Sequence, residues 1–179
     1  MKKITIVALL FAFVSMPALA DNTGKAYIAA DLGTATYSNL SPFPNPGVFR
    51  IAGGYHISPA LAVELGYSKF GDSTLTGPGG SATISASSFQ VAAVGSLPLS
   101  PEFDLIGKLG LSSNKAEITS TVGIFGSTSQ SSLLIGFGAQ FHVNSQVSVR
   151  LLYDNYGEFE NGASPMKATS ISLGTVFNF

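Results

Sequence analysis

An all-β fold, a closed eight-stranded antiparallel up-and-down barrel, is what this sequence predicts. Three observations predict it: apolar residues alternate instead of recurring at helical spacing, eight such stretches occur in one chain, and their connections alternate between short and long. Alternation is the mark of a strand with one apolar face.

The eight stretches are roughly 25–37, 47–57, 60–70, 83–98, 102–115, 130–143, 146–156 and 167–179. In the first, Tyr27, Asp31 and Tyr37 fall on the phase opposite to the apolar face. The second places Phe49 and Tyr55 on the apolar face. In the third, Leu61, Val63, Leu65 and Tyr67 share one face, opposite Ala62, Glu64, Gly66 and Ser68. The fourth contributes Phe89 and the fifth Phe103, with Lys108 on the fifth's other face. The sixth carries Gln140 and Phe141; in the seventh Val147, Val149, Leu151 and Tyr153 oppose Ser148, Arg150 and Asp154. The eighth sets Ile171, Leu173, Phe177 and Phe179 against Ser170, Ser172, Gly174 and Asn178.

Short connections sit at Ser58-Pro59, Ser100-Pro101 and Asn144-Ser145, and long ones at 38–47, 71–82, 116–129 and 157–165. The stretches before the short turns form a loose repeat, His56-Ile57-Ser58-Pro59, Pro98-Leu99-Ser100-Pro101 and His142-Val143-Asn144-Ser145, spaced 42 and 44 residues apart. This is a repeat of hairpin pairs rather than of stacked solenoid units. Short turns at one end and long loops at the other are the pattern of outer-membrane barrels.

The first 20 residues have the form of a cleaved secretory signal: Lys2 and Lys3, an apolar core from Ile4 to Val14, and the small-residue site Ala18-Leu19-Ala20. The apolar run is shorter than the ~20 residues that span a bilayer as a helix. Residues 1–20 are therefore expected to be removed, leaving 21–179 as one barrel domain and taking the formal net charge from −1 to −3. That balance argues against a nucleic-acid partner, which calls for a basic face.

Only 11% of the 179 residues are charged, against about 25% in soluble domains. The polar phase is mostly Gly, Ala and Ser, which suits the narrow lumen of an eight-stranded barrel. The apolar phase gathers aromatics near strand ends, as interfacial girdles do. Hydrocarbon leaves no partner for an open sheet edge, so the last strand is expected to pair with the first.

These patterns resemble the eight-stranded barrels related to the transmembrane domain of outer membrane protein A and, more loosely, the small adhesin-like barrels. The stretches that carry the resemblance are Tyr27–Gly33, Gly53-Gly54-Tyr55 leading into Val63–Tyr67, Leu105–Gly110 and Val149–Tyr153. The resemblance implies a Gram-negative outer-membrane location and an interior polar network of Asp31, Glu64, Lys108, Gln140 and Arg150. It implies that Ser172, Gly174, Phe177 and Phe179 form the signal read by the barrel-assembly machinery. Gln140 stands where the family has a second interior acid, and Val94 where it has an interior Lys. The alternative ion pair linked to pore opening in that relative is thus expected to be absent, and little steady conductance is expected. The resemblance covers only the barrel, so the relative's peptidoglycan-gripping periplasmic role does not carry over.

No catalytic, cofactor or metal site is legible. There is no Cys, which excludes thiolate sites, and no His/Asp/Glu grouping has metal-ligand spacing. His142 with Ser145 resembles the His/Ser pair of lipid A deacylases, but the surrounding motif is missing; His56 and His142 read as turn or lumen residues. The expected protein is a monomeric non-enzyme in contact with outer-membrane lipids and lipopolysaccharide. Two functions are open, a structural envelope-integrity barrel and a surface adhesin or receptor that meets a host or cell-surface ligand through four long loops. A small porin or a lipid A-modifying enzyme ranks behind both.

Overall fold

The computed structural model describes residues 23–38, 45–77, 80–120, 123–159 and 166–179. The expected signal peptide and most of the first and fourth long loops lie outside these residues.

Eight antiparallel strands close into one barrel: β1 Ala26–Tyr37, β2 Gly47–Ser58, β3 Leu61–Gly77, β4 Gly80–Ser100, β5 Phe103–Ser120, β6 Gly123–His142, β7 Val147–Glu158 and β8 Lys167–Asn178. Each strand pairs with its sequence neighbours, and β8 closes on β1 from Tyr27↔Asn178 to Tyr37↔Ala168. Closure removes the unpaired edge that hydrocarbon would punish.

The alternation in sequence becomes an alternation of environment. On the outer wall Ile28, Leu32, Ile51, Leu65, Leu109, Leu111, Phe137 and Leu173 are exposed, while their neighbours in sequence are turned into the lumen. The apolar outer stretch on β5 runs from Phe103 to Leu111 and gives way to Ser113 and Lys115. Nine residues at about 3.3 Å each, tilted by about 40°, rise about 23 Å, close to the apolar height of an outer-membrane barrel. The same switch occurs around the wall: Tyr67 is followed outwards by Lys69, Phe89 by Ser87, Leu133 by Ser131, and Tyr153 by Asn155. Within that band no described outward-facing residue is charged.

The strands differ in length. β1, β2, β7 and β8 have 12 residues each, whereas β3, β4, β5 and β6 have 17, 21, 18 and 20. The stretches 71–82 and 116–129, expected as loops, are therefore largely strand. Pairing continues from Ser73↔Ile84 to Gly77↔Gly80 and from Glu117↔Ser127 to Ser120↔Gly123. The sequence signal fails there for a physical reason. Above the membrane no hydrocarbon forces one phase to be apolar, and Ser, Thr and Gly are frequent in both phases. The result is a four-stranded sheet projecting beyond the barrel on one side. Its flanks, 71–77 of β3 and 123–131 of β6, extend past the last pairs with β2 (Val48↔Phe70) and β7 (Ile135↔Asn155).

Replacing 71–85 by a two-residue Asn-Gly turn, which suits a hairpin closing at Phe70↔Ala86, should leave the barrel intact. Heat-modified gel mobility checks this: a retained compact band is expected, with a stability change within about 1 kcal/mol because the excised segment lies above the membrane.

Candidate functional site: the charged centre of the lumen

The inward phases of five strands deliver six charged side chains to one level: Asp31 from β1, Arg50 from β2, Glu64 from β3, Lys108 from β5, and Arg150 and Asp154 from β7. All are buried, and three cations face three anions. Arg150 donates through Nε to Asp31 Oδ1 at 2.8 Å and through Nη2 to Asp31 Oδ2 at 2.8 Å, a two-pronged grip, and through Nη1 to Glu64 Oε2 at 3.0 Å. Arg50 donates through Nη1 to Asp31 Oδ2 at 2.8 Å, through Nη2 to Glu64 Oε1, and through Nε to Gln90 Oε1 at 3.2 Å. The Tyr27 hydroxyl donates to Glu64 Oε2 at 3.1 Å. Lys108 Nζ lies 3.4 Å from Glu64 Oε1 and 3.2 Å from Asp154 Oδ1. Lys108 and Asp154 are ion-paired without a hydrogen bond, whereas the two arginines, Asp31 and Glu64 are both paired and hydrogen-bonded, which makes buried charge tolerable; removing one leaves its partners stranded.

Two inward glycines make the pairing possible. Gly174 on β8 stands in register with Asp31 on one side and Arg150 on the other. Having no side chain, it lets the two meet over its own strand; a Cβ there would overlap Asp31 Oδ1 and lie 2.6 Å from the Ala30 carbonyl oxygen. Gly136 on β6 repeats the device between Lys108 and Asp154, and its Cβ would overlap Asp154 Oδ1. Gly54 offers the same room to the ring of Tyr27, which lies against it on the way to Glu64.

Further layers of inward side chains lie on both sides of the charges. Outwards, Gln90 Nε2 donates to Ser68 Oγ at 2.8 Å, the Tyr156 hydroxyl sits 3.3 Å from Ser68 Oγ and 3.2 Å from Ser170 Oγ, and the Asn114 amide donates to the Tyr156 carbonyl at 2.8 Å. Beyond them Phe70, Tyr156, Phe159 and Tyr37 form an aromatic cap, with Phe70 edge-on to Tyr156 and Phe159 at 5.2 and 5.5 Å. Towards the short-turn end, Ala52, Ala62, Val94, Ile106, Leu152 and Val176 join Tyr27 in a second apolar cluster.

Asp31, Glu64, Lys108 and Arg150 lie together in this cluster. Gln140 does not: it is half-buried, opposite Asp104 and Arg150 in register, and takes no part in the ion pairs. Arg50, Asp154 and Gln90 are members that sequence reasoning missed. Their signal was present, since Arg50 stands between outward Phe49 and Ile51, and Asp154 shares the phase of Arg150. Besides Arg150, Arg50 and Lys108 also approach Glu64 from other strands.

His142 does not use Ser145. Its Nδ1 lies 2.9 Å from Ser148 Oγ and its Nε2 3.0 Å from Asp104 Oδ2. Ser148 is wholly buried. These three side chains tie β5, β6 and β7 at the short-turn end. His56 is half-buried, with its ring 5.1 Å from that of Tyr27. On β8, Ser172 and Gly174 face inwards, while Phe177 and, just past the strand, Phe179 face outwards with ring centroids 5.4 Å apart.

The family model "Outer membrane protein beta-barrel domain" matches residues 6–179. The chain belongs to that outer-membrane β-barrel family. It is 26% identical over 183 residues to outer membrane protein A of Shigella flexneri and 28% over 180 residues to that of Escherichia coli O157:H7, each alignment covering 94% of this chain. The chain spans about half the length of these curated relatives, 52% and 51%. Among solved structures, Neisserial surface protein A matches with a TM-score of 0.67 at 19% identity over 86% of this chain and 97% of its own. Ail, the attachment invasion locus protein of Yersinia pestis, crystallised with the heparin analogue sucrose octasulfate, matches at 0.64 and 19% over 88% and 99%. This outer-membrane protein therefore has the OmpA-like barrel and the location that its alternation implied, the outer membrane of a Gram-negative cell.

Proposed function

We propose that this outer-membrane barrel is a structural, envelope-integrity element with a plugged lumen. The observation that carries the reading is the neutral six-charge centre held between two apolar layers: an ion entering the lumen meets side chains already paired with one another. On this reading 1–20 is the cleaved signal, the lumen network works as a fixed brace, and Ser172, Gly174, Phe177 and Phe179 of the closing strand guide assembly. The protein acts as a monomer without cofactor or catalysis. A deletion strain tests it. Heightened detergent sensitivity is expected, restored by the wild-type gene and by the variant with 71–85 replaced; unchanged sensitivity would contradict it.

A second reading, surface interaction with a host or cell-surface ligand, is favoured by the projecting sheet and by an attachment protein among the fold relatives. The β6 flank 123–131 carries no Lys, Asp, Glu, Arg or Pro, the residues that usually blunt an exposed strand edge. Loss of cell adhesion on replacing 71–85, with detergent resistance intact, would support this reading over the first.

A further inference from the structure

β7 leaves β6 before β6 ends. Their pairing stops at Ile135↔Asn155, although β6 itself runs on outwards to Gly123. On the other side, the register with β8 shifts between Asn155 and Gly157. Gly157 stands there at φ 73°, and its N–H donates to Asn155 Oδ1 at 2.9 Å. Side chains then supply residues 156–158 with the partners that the backbone of β6 no longer gives. Ser112 Oγ donates to the Tyr156 carbonyl at 2.7 Å, and Asn114 Nδ2 to the Tyr156 and Glu158 carbonyls at 2.8 and 2.9 Å. Ser132 Oγ donates to the Glu158 carbonyl at 2.9 Å and accepts from the Glu158 N–H at 3.0 Å. Ser112 and Asn114 belong to β5, which is no neighbour of β7, because β6 lies between them. The segment therefore crosses the inner face of β6, where a Cβ on Gly157 would lie 2.5 Å from the Ser132 Cβ. It carries the wholly buried Phe159 over the lumen, edge-on to Phe70 at 5.5 Å and to Tyr37 at 6.4 Å.

We infer that 156–159 is a lid over the outer mouth of the lumen, hinged at the Asn155/Gly157 bulge and latched by Ser112, Asn114 and Ser132. A strand held by ladder bonds on both edges moves only when two ladders unzip. Here three short side chains hold one edge, so their rotation frees it, and such a unit opens at lower free energy than the whole fold. Gly157 permits the movement, because glycine passes between a positive φ and extended backbone without steric cost. Asn114 is the centre of the latch. It is wholly buried, gives its amide hydrogens to the two lid carbonyls, and accepts from Ser88 Oγ at 2.7 Å, which ties the latch to β4. Water entering an open mouth takes over the same donors, so opening strands no polar group. Beneath the lid lie Phe70, Ala86 and Ala116 of the apolar cap, and then the polar pair Gln90 and Ser68. The ion-paired charges lie deeper and hold with the lid up or down, so the lid stands or falls separately from the proposed function.

The chain has no Cys, so a single thiol placed beneath the lid reports its opening. Ala86→Cys is that probe: Ala86 is 2% exposed and belongs to the same apolar cluster as Phe159. Ala62→Cys is the reference thiol, at a buried position in the apolar cluster towards the short turns. Labelling of the purified barrel in detergent by a water-soluble maleimide is timed for each probe in four backgrounds. These are the otherwise unchanged protein, Ser132→Ala, Asn114→Leu with Ser132→Ala, and Gly157→Ala, which is strained at its φ and crowds Ser132. Heat-modified mobility selects the variants that are folded. The double latch variant and Gly157→Ala should label at Ala86→Cys at least about ten-fold faster than the unchanged background, given the hydrogen bonds lost. Ser132→Ala alone should fall between, and Ala62→Cys should label at one slow rate throughout. An Ala86→Cys rate that is the same in every folded background overturns the proposal. So does an equal acceleration at Ala62→Cys, which would mean a loosened barrel rather than a lid.

Discussion

Arg150→Met should destabilise the barrel by about 3–5 kcal/mol, the cost of removing one partner from a buried ion pair. The substitution strips Asp31 of a two-pronged contact and Glu64 of one of its cations, leaving the lumen with one excess negative charge. Arg50 remains on Asp31, and Arg50 and Lys108 remain on Glu64, so the loss is large without emptying the network. Urea unfolding in detergent micelles measures it. The matching double variant, Arg150→Met with Asp31→Asn, restores neutrality and should recover more than half of the loss. If Arg150→Met costs under about 1 kcal/mol, the level of an exposed salt bridge, the brace is weaker than its geometry implies.

Gly174→Val should be at least as damaging, because it combines two effects. The new side chain overlaps Asp31 and crowds the Ala30 carbonyl at the seam where β8 closes on β1. It also separates Asp31 from Arg150, which meet over that glycine. Overpacking costs about 1–3 kcal/mol and the broken buried pair adds about 3–5. The expected result in detergent is loss of the compact, heat-resistant band. Gly53→Ala on the outer wall is the control and should leave that band unchanged, since its Cβ has room. Because folding in detergent involves no assembly machinery, a defect there assigns Gly174 a packing role separate from any part in recognition. An unimpaired compact band for Gly174→Val would remove the glycine window from the account.

Much of this molecule was legible in the alternation of its residues, and the gaps have physical causes. Where hydrocarbon meets the wall, the chemistry forces apolar residues onto one phase, so Leu61, Val63, Leu65 and Tyr67 announce both the strand and its facing. Above the membrane that force disappears, and the strands through Thr74, Thr83 and Thr119 carry no apolar phase to reveal them. The charged centre was half legible. Glu64 and Arg150 stand out as charges within apolar stretches, but partners contributed by distant strands follow from barrel register, not from local pattern. Asp31 and Arg150 are 119 residues apart in sequence and are joined only because β8 lies between β1 and β7. Gly136 and Gly174 read as small lumen residues, and their role as windows between charges appears only once both flanking strands are in place.

Under the proposed function, paired charges between apolar layers close the lumen, and planar-bilayer recording of the purified barrel tests this most directly. Little or no steady conductance is expected from the wild-type protein. Large, regular open steps from the same preparation would contradict it.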